Sequence, residues 1–275
     1  MKAVPTSGAL GAEIQGVDLA SDLSDETVLE IRKALLEHGV VFFRDQHLDA
    51  EAHKRLARRF GEIFIHPFFV AGDDPEIMVI HRKPDDTSIV GFEWHSDTTM
   101  APEPPMGSIL YAVKAPPVGG DTLFANQYVA YERLSDGMKD MLDGLRAVHS
   151  DRRVAGPDSG RNAGRTTKAR DDSDWCETMT LHPVVRTHPE TGGKCLYVNH
   201  SYTVGFENMT EGESKPLLDW LMEWGHRPEF TCRFRWHDGS VAFWDNRCTK
   251  HLAVNDVVGH ERIMRRVQIA GDKPV

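Results

Sequence analysis

The sequence predicts a mainly β fold with flanking helices, and three observations support that prediction. Residues 62–131 hold short apolar runs separated by turn clusters rich in Asp, Pro and Gly, which is the spacing of a β-sandwich or barrel. Apolar residues at helical spacing are confined to a few stretches outside that segment. Strand-like runs resume at 181 and continue to 269. A β-core with helices packed on it is the simplest arrangement of elements in this order.

The first 61 residues are predicted to form a strand, a helix, a second strand and a second helix. Residues 12–17 alternate between apolar and polar side chains, as a half-buried strand does. A helix over 24–39 begins at a serine cap and ends at a glycine. The apolar run 40–43 predicts a short buried strand. An aspartate cap followed by one apolar face predicts a helix over 49–61.

The remaining predicted elements are mostly short strands. Two further helices are predicted, over about 135–145 and about 213–224. The predicted strands are short apolar runs bounded by turn residues, at 77–80, 108–113, 122–124, 181–185, 196–198, 232–236, 240–244 and 263–269.

Residues 151–174 differ from the rest of the chain because they are nearly devoid of large apolar side chains. Such a composition does not form a packed core, so the segment is predicted to be a long loop. Long loops inside a compact domain are often lids over a site, and we expect a mobile lid at about 151–175. The alternative is a disordered insertion without a role.

Length and charge limit the classes of function. At 275 residues the chain corresponds to roughly two average domains, but it has no internal repeat and no clean linker, so we expect one domain over 1–275. The net charge of −10 argues against nucleic-acid and anionic-membrane partners. No stretch approaches the roughly 18 apolar residues of a membrane span, and the first residues lack an apolar signal core. The four cysteines show no CxxC pair, which favours reduced thiols in a cytoplasmic protein.

A His-x-Asp pair is the first candidate for chemistry. His95 and Asp97 are two residues apart, so in an extended strand both side chains point to the same face. On that face they are able to occupy two adjacent positions around one metal ion. Because such pairs are common by chance, a surface His–Asp hydrogen bond is the alternative.

His251 supplies a third candidate ligand downstream. It follows the predicted strand 240–244, in what we expect to be a turn. Two imidazoles and one carboxylate form a facial triad that leaves three positions of an octahedral ion open, which suits Fe(II). Zinc more usually takes four tetrahedral ligands or three plus water, and no cysteine is placed to act as a ligand.

Two arginines near the C-terminus point to an anion-binding site. In a strand beginning near 262, Arg262 and Arg266 share one face while Arg265 points away. Two buried guanidiniums need anionic partners, and Arg binds carboxylates or sulfonates through a fork of N–H donors. Pairing with local Asp or Glu side chains is the alternative.

Several motifs occur in order along nearly the whole chain. They are Gly8-Ala9-Leu10-Gly11-Ala12-Glu13-Ile14, Trp94-His95-Ser96-Asp97, Gly119-Gly120-Asp121-Thr122, His182-Pro183-Val184-Val185-Arg186-Thr187-His188-Pro189, Trp244-Asp245-Asn246-Arg247, Arg262-Ile263-Met264 and Gly271-Asp272-Lys273-Pro274. Together they resemble the taurine dioxygenase and 2,4-D dioxygenase family of Fe(II)/2-oxoglutarate-dependent oxygenases. The resemblance implies a double-stranded β-helix (jelly-roll) core with flanking helices, and Fe(II), 2-oxoglutarate and O₂ as cofactor and cosubstrates.

The resemblance also implies roles for the candidate residues. His95, Asp97 and His251 match the iron ligands, which are the catalytic centre of the family. Arg262 matches the arginine that holds the distal carboxylate of 2-oxoglutarate, and Thr122 matches the threonine that hydrogen-bonds the same group.

On the substrate side the match is incomplete. Arg266 and His66 match the residues that bind the anionic head of taurine. Gly91 stands where the taurine enzyme has an asparagine that contacts the amine, and Phe69 stands where it has a tyrosine. Tyr202 is expected to border the substrate. The predicted pocket therefore keeps its grip on an anion but loses the partner of an amine.

The implied reaction is the oxidative decarboxylation of 2-oxoglutarate to succinate and CO₂, coupled to hydroxylation of a substrate carbon next to a heteroatom. The predicted substrate is a small anion with an apolar tail: an alkyl sulfonate, an alkyl sulfate or an aryloxyalkanoate. The alternatives are the same chemistry on a carboxylate intermediate of specialised metabolism, or a non-catalytic β-core binding protein. Relatives of this kind imply a homodimer or a homotetramer.

Overall fold

The computed structural model describes residues 1–69, 74–169 and 175–275. Within these residues sixteen strands follow one another: β1 (Lys2–Pro5), β2 (Ala12–Gln15), β3 (Val40–Phe43), β4 (Ile63–Phe64), β5 (Met78–Arg82), β6 (Gly107–Lys114), β7 (Thr122–Asn126), β8 (Arg146–Ser150), β9 (Met179–Pro183), β10 (Val185–Thr187), β11 (Lys194–Leu196), β12 (Thr203–Phe206), β13 (Thr231–Phe234), β14 (Val241–Asp245), β15 (Thr249–Ala253) and β16 (Arg262–Ile269). The helices are α1 (Asp25–His38), α2 (Ala50–Arg58), α3 (Gln127–Glu132), α4 (Asp136–Leu142) and α5 (Glu211–Trp224).

The core is built from two facing antiparallel sheets. The main sheet has the strand order β1-β2-β3-β14-β6-β16-β4, with β5 also paired to β16, and only β2 and β3 are parallel. A three-stranded sheet, β13-β7-β15, faces it across an aromatic layer. That layer contains Phe42, Phe124, Phe234, Trp236 and Trp244. The predicted mainly β fold with flanking helices is confirmed.

Helices α1 and α2 cover the other face of the main sheet. Ser24 caps α1 by accepting a hydrogen bond from the Thr27 N–H at 3.2 Å, and Gly39 ends the helix at φ 71°. The buried apolar residues of both helices pack in one cluster with those of β3, β6, β14 and β16. Helices α3, α4 and α5 pack in a separate cluster beside β8 and β11. Among the described residues, no helix combines the length and apolar character that crossing a bilayer requires.

Several short elements have no counterpart in the prediction. Strand β8 and helix α3 lie in stretches where no element is predicted, and β8 contains the buried polar residues His149 and Ser150. Strand β15 occupies a stretch where the sequence predicts a turn, and its first residues, Thr249 and Lys250, are polar and buried. Buried polar residues hide the apolar pattern by which a strand is found in a sequence.

Residues 151–169 of the predicted lid are irregular, as expected, but they are held by specific hydrogen bonds. Apart from a single 3₁₀ turn at Pro157–Ser159 and an isolated antiparallel bridge between Ala169 and Phe69, they are turns, bends and irregular backbone. Gly164 O accepts from the N–H groups of Thr87 at 2.8 Å and Ser88 at 2.9 Å. Thr167 Oγ1 accepts from the His81 N–H at 2.7 Å. Residues 170–174 of the predicted lid lie outside the described residues, and closure over the site stays a prediction.

Candidate active site

The three predicted metal ligands lie together. His95 and His251 face each other across an isolated antiparallel bridge, with the His95 N–H donating to His251 O at 3.0 Å and the His251 N–H donating to His95 O at 2.7 Å. Their ring centroids are 4.1 Å apart. Asp97 Oδ1 lies 3.7 Å from His95 Nε2 and 3.8 Å from His251 Nε2. Each residue is buried and offers one ligand atom within 4.8 Å of the others.

The backbone around these ligands differs from the predicted one. The sequence predicts an extended strand through His95 and Asp97, but only His95 makes a strand-like bridge, and Asp97 begins a turn that runs to residue 100. The prediction of a turn at His251 is wrong, because His251 lies within β15, paired with Phe124 of β7. Adjacent side chains in a strand point to opposite faces, so β15 aims His251 inward and Lys250 away.

Neighbouring groups fix the orientation of two of the ligands. His95 Nδ1 donates to Glu93 O at 2.7 Å, which leaves Nε2 as the ligand atom. Ser108 Oγ donates to Asp97 Oδ2 at 2.7 Å, so Oδ1 is the oxygen that faces the imidazoles. Asn246 holds the backbone of Asp97 by accepting from its N–H at 2.6 Å and donating to its carbonyl at 2.9 Å.

The protonation states fit a divalent metal. Burial lowers the pKa of both His95 and His251, so both imidazoles are neutral at physiological pH. Burial opposes the ionisation of Asp97, but the guanidinium of Arg266 and the hydrogen bond from Ser108 outweigh it and hold the pKa of the carboxyl below its usual range. Metal ligation requires neutral imidazole and ionised carboxylate. Two nitrogens and one oxygen in this arrangement fit the open Fe(II) site that the sequence predicts.

A second group of potential ligands is already satisfied by protein partners. His188, Asp245 and Cys248 also lie within 4.8 Å of one another. Arg247 donates to both oxygens of Asp245, at 2.9 and 2.7 Å, and His188 Nε2 donates to Asp245 Oδ2 at 3.1 Å. Burial raises the pKa of the Cys248 thiol well above its usual value. The group is therefore a buried ion-pair network rather than a second metal site.

A cavity of about 40 Å³ joins the two histidine ligands to Arg262 and Thr122. We call it the strand cavity, because most of its lining lies on β5, β6, β7, β14, β15 and β16. Trp236 Nε1 donates to Thr122 Oγ1 at 3.0 Å, and an indole N–H only donates, so the threonine hydroxyl hydrogen is free for another acceptor. Among the described residues Arg262 has no carboxylate partner, and burial lowers its pKa to about 10. Arg262 and Thr122 therefore offer hydrogen-bond donors to an anionic ligand.

A second cavity, of about 30 Å³, lies on the side of Asp97 and Arg266. We call it the loop cavity, because Arg266 is the only one of its lining residues that lies on a strand given above. The four residues predicted to bind substrate all line it: His66, Phe69, Tyr202 and Arg266. Its volume is far below the roughly 300–1,000 Å³ of typical ligand pockets, so an organic ligand requires lining side chains to move.

Arg266 and His66 differ in what they offer a ligand. Arg266 Nη1 donates to Asp97 Oδ1 at 2.8 Å and Nη2 contacts Met78 Sδ at 3.1 Å. Pairing with a local carboxylate therefore occurs for Arg266 but, among the residues that the structure describes, not for Arg262. His66 Nδ1 accepts from the Phe68 N–H at 3.1 Å. Burial and the neighbouring Arg266 lower the pKa of His66 to about 3. The neutral ring therefore carries its N–H on Nε2 and acts as a donor.

Gly91 borders both cavities. Its φ is +81°, and a Cβ placed there would lie 3.1 Å from His95 Cε1. A side chain at this position would therefore press on a predicted metal ligand. The sequence has no polar side chain at position 91, and the structure shows that a side chain there would be crowded by His95.

The sequence does not single out two arginines that line the loop cavity. Arg161 and Arg165 both belong to the predicted lid. Arg161 is ion-paired with Glu93 and also lines an open cleft of about 570 Å³ that extends to Trp175 and His200. Within a polar, aperiodic segment, no spacing rule distinguishes a cavity-facing arginine from a solvated one.

Comparisons with known proteins agree with the geometry. The family model described as “Taurine catabolism dioxygenase TauD, TfdA family” matches residues 2–268. An alkylsulfatase of Acinetobacter baylyi is 38% identical over 270 residues, covering 97% of this chain and 84% of that protein. An alpha-ketoglutarate-dependent sulfate ester dioxygenase of Pseudomonas putida is 37% identical over 275 residues, covering 98% and 90%. A crystal structure of a putative alpha-ketoglutarate-dependent taurine dioxygenase from Burkholderia xenovorans has a TM-score of 0.85 and 40% identity, covering 100% of this chain and 94% of that one.

Proposed function

We propose that this chain, which belongs to the taurine catabolism dioxygenase TauD, TfdA family and is an Fe(II)- and 2-oxoglutarate-dependent dioxygenase, hydroxylates a small anionic substrate next to a heteroatom. The substrate classes are alkyl sulfates, alkyl sulfonates and aryloxyalkanoates. The observation that carries the proposal is the loop cavity, where Arg266 and His66 stand beside the His95–Asp97–His251 group. The two relatives named for sulfate esters favour alkyl sulfates among these classes.

His95, Asp97 and His251 are the residues that would hold the iron. Bound Fe(II) supplies the oxidation by O₂ that converts 2-oxoglutarate to succinate and CO₂ and hydroxylates the substrate. Glu93 O and Ser108 keep His95 Nε2 and Asp97 Oδ1 turned inward, which fixes the ligands before the metal arrives.

Arg262 and Thr122 would bind the distal carboxylate of 2-oxoglutarate. Arg262 brings a buried guanidinium that has no carboxylate partner among the described residues, and Thr122 brings a hydroxyl hydrogen that Trp236 leaves free. A fork of N–H donors and one O–H donor match the two oxygens of a carboxylate. The strand cavity connects these donors with the two histidine ligands, as a dicarboxylate that reaches the metal requires.

The loop cavity would hold the substrate head close to the metal. His66 Nε2 donates a neutral hydrogen bond and Arg266 a charged one, while the ring of Phe69 provides an apolar wall. Hydroxylation of the carbon that bears a sulfate oxygen gives a product that collapses to an aldehyde and free sulfate. A sulfonate releases sulfite in the same way.

Three further expectations belong to this proposal. The chain is one domain over 1–275 with a lid at about 151–175 that closes over the site. It acts in the cytoplasm, without a nucleic-acid or membrane partner, in keeping with its net charge of −10. It assembles as a homodimer or a homotetramer, which light scattering of the purified protein measures directly.

A substrate panel tests the proposal. Succinate formation is measured with hexyl sulfate, hexanesulfonate, 2-phenoxypropionate, hexanoate and taurine, using His251→Ala as the background control. We expect the apolar-tailed anions to stimulate succinate formation well above taurine, because Gly91 and Phe69 offer an amine no polar side chain. Turnover of taurine far above every apolar-tailed anion would contradict the proposed substrate class.

The alternative of a non-catalytic binding protein has its own test. Fe(II) and 2-oxoglutarate added under nitrogen are expected to give a weak visible charge-transfer band. A protein without this band and without 2-oxoglutarate turnover would be a binding protein.

A further inference from the structure

Arg165 is a buried guanidinium in the loop cavity that neither the sequence prediction nor the proposed function uses. Only 6% of the residue is exposed. It lines the same cavity as Asp97, His66 and Arg266. Its guanidinium lies 5.9 Å from the centroid of the Phe69 ring, so one side of the group is flanked by an apolar surface.

The loop holds Arg165 in place from both sides. Asn162 Oδ1 accepts from Arg165 Nη2 at 3.1 Å and from the Ala169 N–H at 2.9 Å. Asn162 Nδ2 donates to Ala169 O at 3.1 Å, which closes the segment on itself. Next along the chain, Thr166 bonds Asp86 through its N–H and its hydroxyl, both at 3.0 Å. Within the part of the chain that the structure describes, the guanidinium is therefore positioned by the Asn162 amide and a braced backbone rather than by a charge partner.

The three arginines of the loop cavity differ in their partners. Arg161 is paired with Glu93, and Arg266 with Asp97. Arg165 has no carboxylate within 4.0 Å among residues 1–69, 74–169 and 175–275, and its Nε has no hydrogen-bond partner there. Burial, with Arg161 nearby, lowers the pKa of Arg165 to about 10, the direction expected for a guanidinium without a close carboxylate. A buried cation of this kind gains most from an anionic ligand.

We propose that Arg165 binds the anionic head of the substrate directly, together with Arg266 and His66, and so makes the 160–169 loop part of the substrate site. The inference rests on the proposed function for the identity of the substrate. Arg165, Arg266 and His66 bring N–H donors from three side chains to one cavity. A sulfate ester or sulfonate has three terminal oxygens and a carboxylate has two, so this set of donors favours the sulfur oxyanions.

The variant Arg165→Gln tests the inference, and Lys168→Gln is the matched control, because it removes an exposed positive charge from the same loop. With hexyl sulfate as probe, Arg165→Gln is expected to raise KM roughly tenfold to hundredfold, the usual cost of losing a charge-assisted hydrogen bond. The half-saturating concentration of 2-oxoglutarate stays unchanged. Arg165→Lys keeps the charge but loses the fork of N–H donors, so its KM for hexyl sulfate is expected to lie between those of wild type and Arg165→Gln.

Equal KM values for Arg165→Gln and Lys168→Gln would overturn the inference. A loss of 2-oxoglutarate binding in Arg165→Gln as large as its loss of hexyl sulfate binding would overturn it as well, because Arg165 would then act on the whole fold.

A binding measurement separates this inference from the proposed function. Inorganic sulfate is titrated into the Fe(II)- and 2-oxoglutarate-loaded enzyme under nitrogen, with the thermal midpoint as readout. Sulfate is expected to raise the midpoint of wild type and of Lys168→Gln, and to raise that of Arg165→Gln much less. Equal shifts for all three proteins would overturn the role of Arg165, whatever the panel shows. A panel without any anionic substrate would instead remove the proposed substrate class and leave this result standing.

Discussion

The two cavities on either side of the metal-binding group are built in different ways. The strand cavity is lined mostly by paired strands, whose backbone hydrogen bonds fix Thr122, His251 and Arg262. The loop cavity draws nearly all its lining from irregular segments, among them the braced stretch that carries Arg165. Function concentrates on loops held by a rigid scaffold. We infer that the strands carry the chemistry with 2-oxoglutarate, while the loops select the substrate.

The largest expected effect concerns the group that both cavities share. His251→Ala removes one of three ligands, and we expect 2-oxoglutarate turnover to fall more than about 100-fold and the charge-transfer band to disappear, since even outer partners of metal ligands matter 10- to 100-fold. The exposed His47 gives a matched control, His47→Ala, which keeps both signals. A normal band in His251→Ala would remove this residue from the metal site.

Arg262→Gln probes the strand cavity alone. Losing the fork that we propose faces the 2-oxoglutarate carboxylate is expected to raise the half-saturating concentration of 2-oxoglutarate roughly tenfold to hundredfold. The KM for hexyl sulfate stays within about twofold of wild type if the cavities act independently. Arg265→Gln is the control, because Arg265 is the neighbour of Arg266 on β16 that lies on the opposite face. A parallel loss of hexyl sulfate binding would break the division between the cavities.

Gly91→Ala tests the wall between the cavities. The positive φ costs an alanine roughly 1–2 kcal/mol of stability, and the new Cβ would lie 3.1 Å from His95 Cε1. Gly144→Ala is the matched control, with φ +74° and no atom within 4 Å of its Cβ. Both variants are expected to melt at lower temperature, but only Gly91→Ala should bind Fe(II) more weakly in a titration. Equal iron affinity in the two variants would show that the His95 ring moves aside without weakening Fe(II) binding.

The last expected effect is on stability alone, at a histidine outside both cavities. Burial lowers the pKa of His53 to about 4, while the unfolded chain keeps about 6.5. Below pH 6.5 the unfolded state therefore binds the extra proton, and stability falls as the pH drops towards 4, by about 3 kcal/mol for this one group. His53→Gln lacks this titrating group. Its free energy of unfolding, measured by urea titration, is therefore expected to fall less between pH 7 and 4.5 than that of wild type, while KM values stay unchanged. An unchanged slope would assign the acid sensitivity to other groups.

The sequence predicts the strand cavity better than the loop cavity, for physical reasons. The strand period of two places Arg262 and Arg266 on one face and Arg265 on the other, and the structure agrees. The buried polar residues Thr249 and Lys250 conceal strand β15 in the sequence, so the expectation of a turn at His251 is wrong. His251 nevertheless lies beside His95 and Asp97, as the prediction of a metal site requires. Arg165 belongs to a segment without periodicity, and only tertiary contacts show that it faces inward.

A crystal structure of the enzyme with Fe(II), 2-oxoglutarate and hexyl sulfate, grown under nitrogen, tests the central claim most directly. We predict the distal carboxylate of 2-oxoglutarate within hydrogen-bond distance of Arg262 and Thr122, and the sulfate group within hydrogen-bond distance of Arg165, Arg266 and His66. A sulfate group bound in the strand cavity, or bound out of reach of all three of those side chains, would contradict the account.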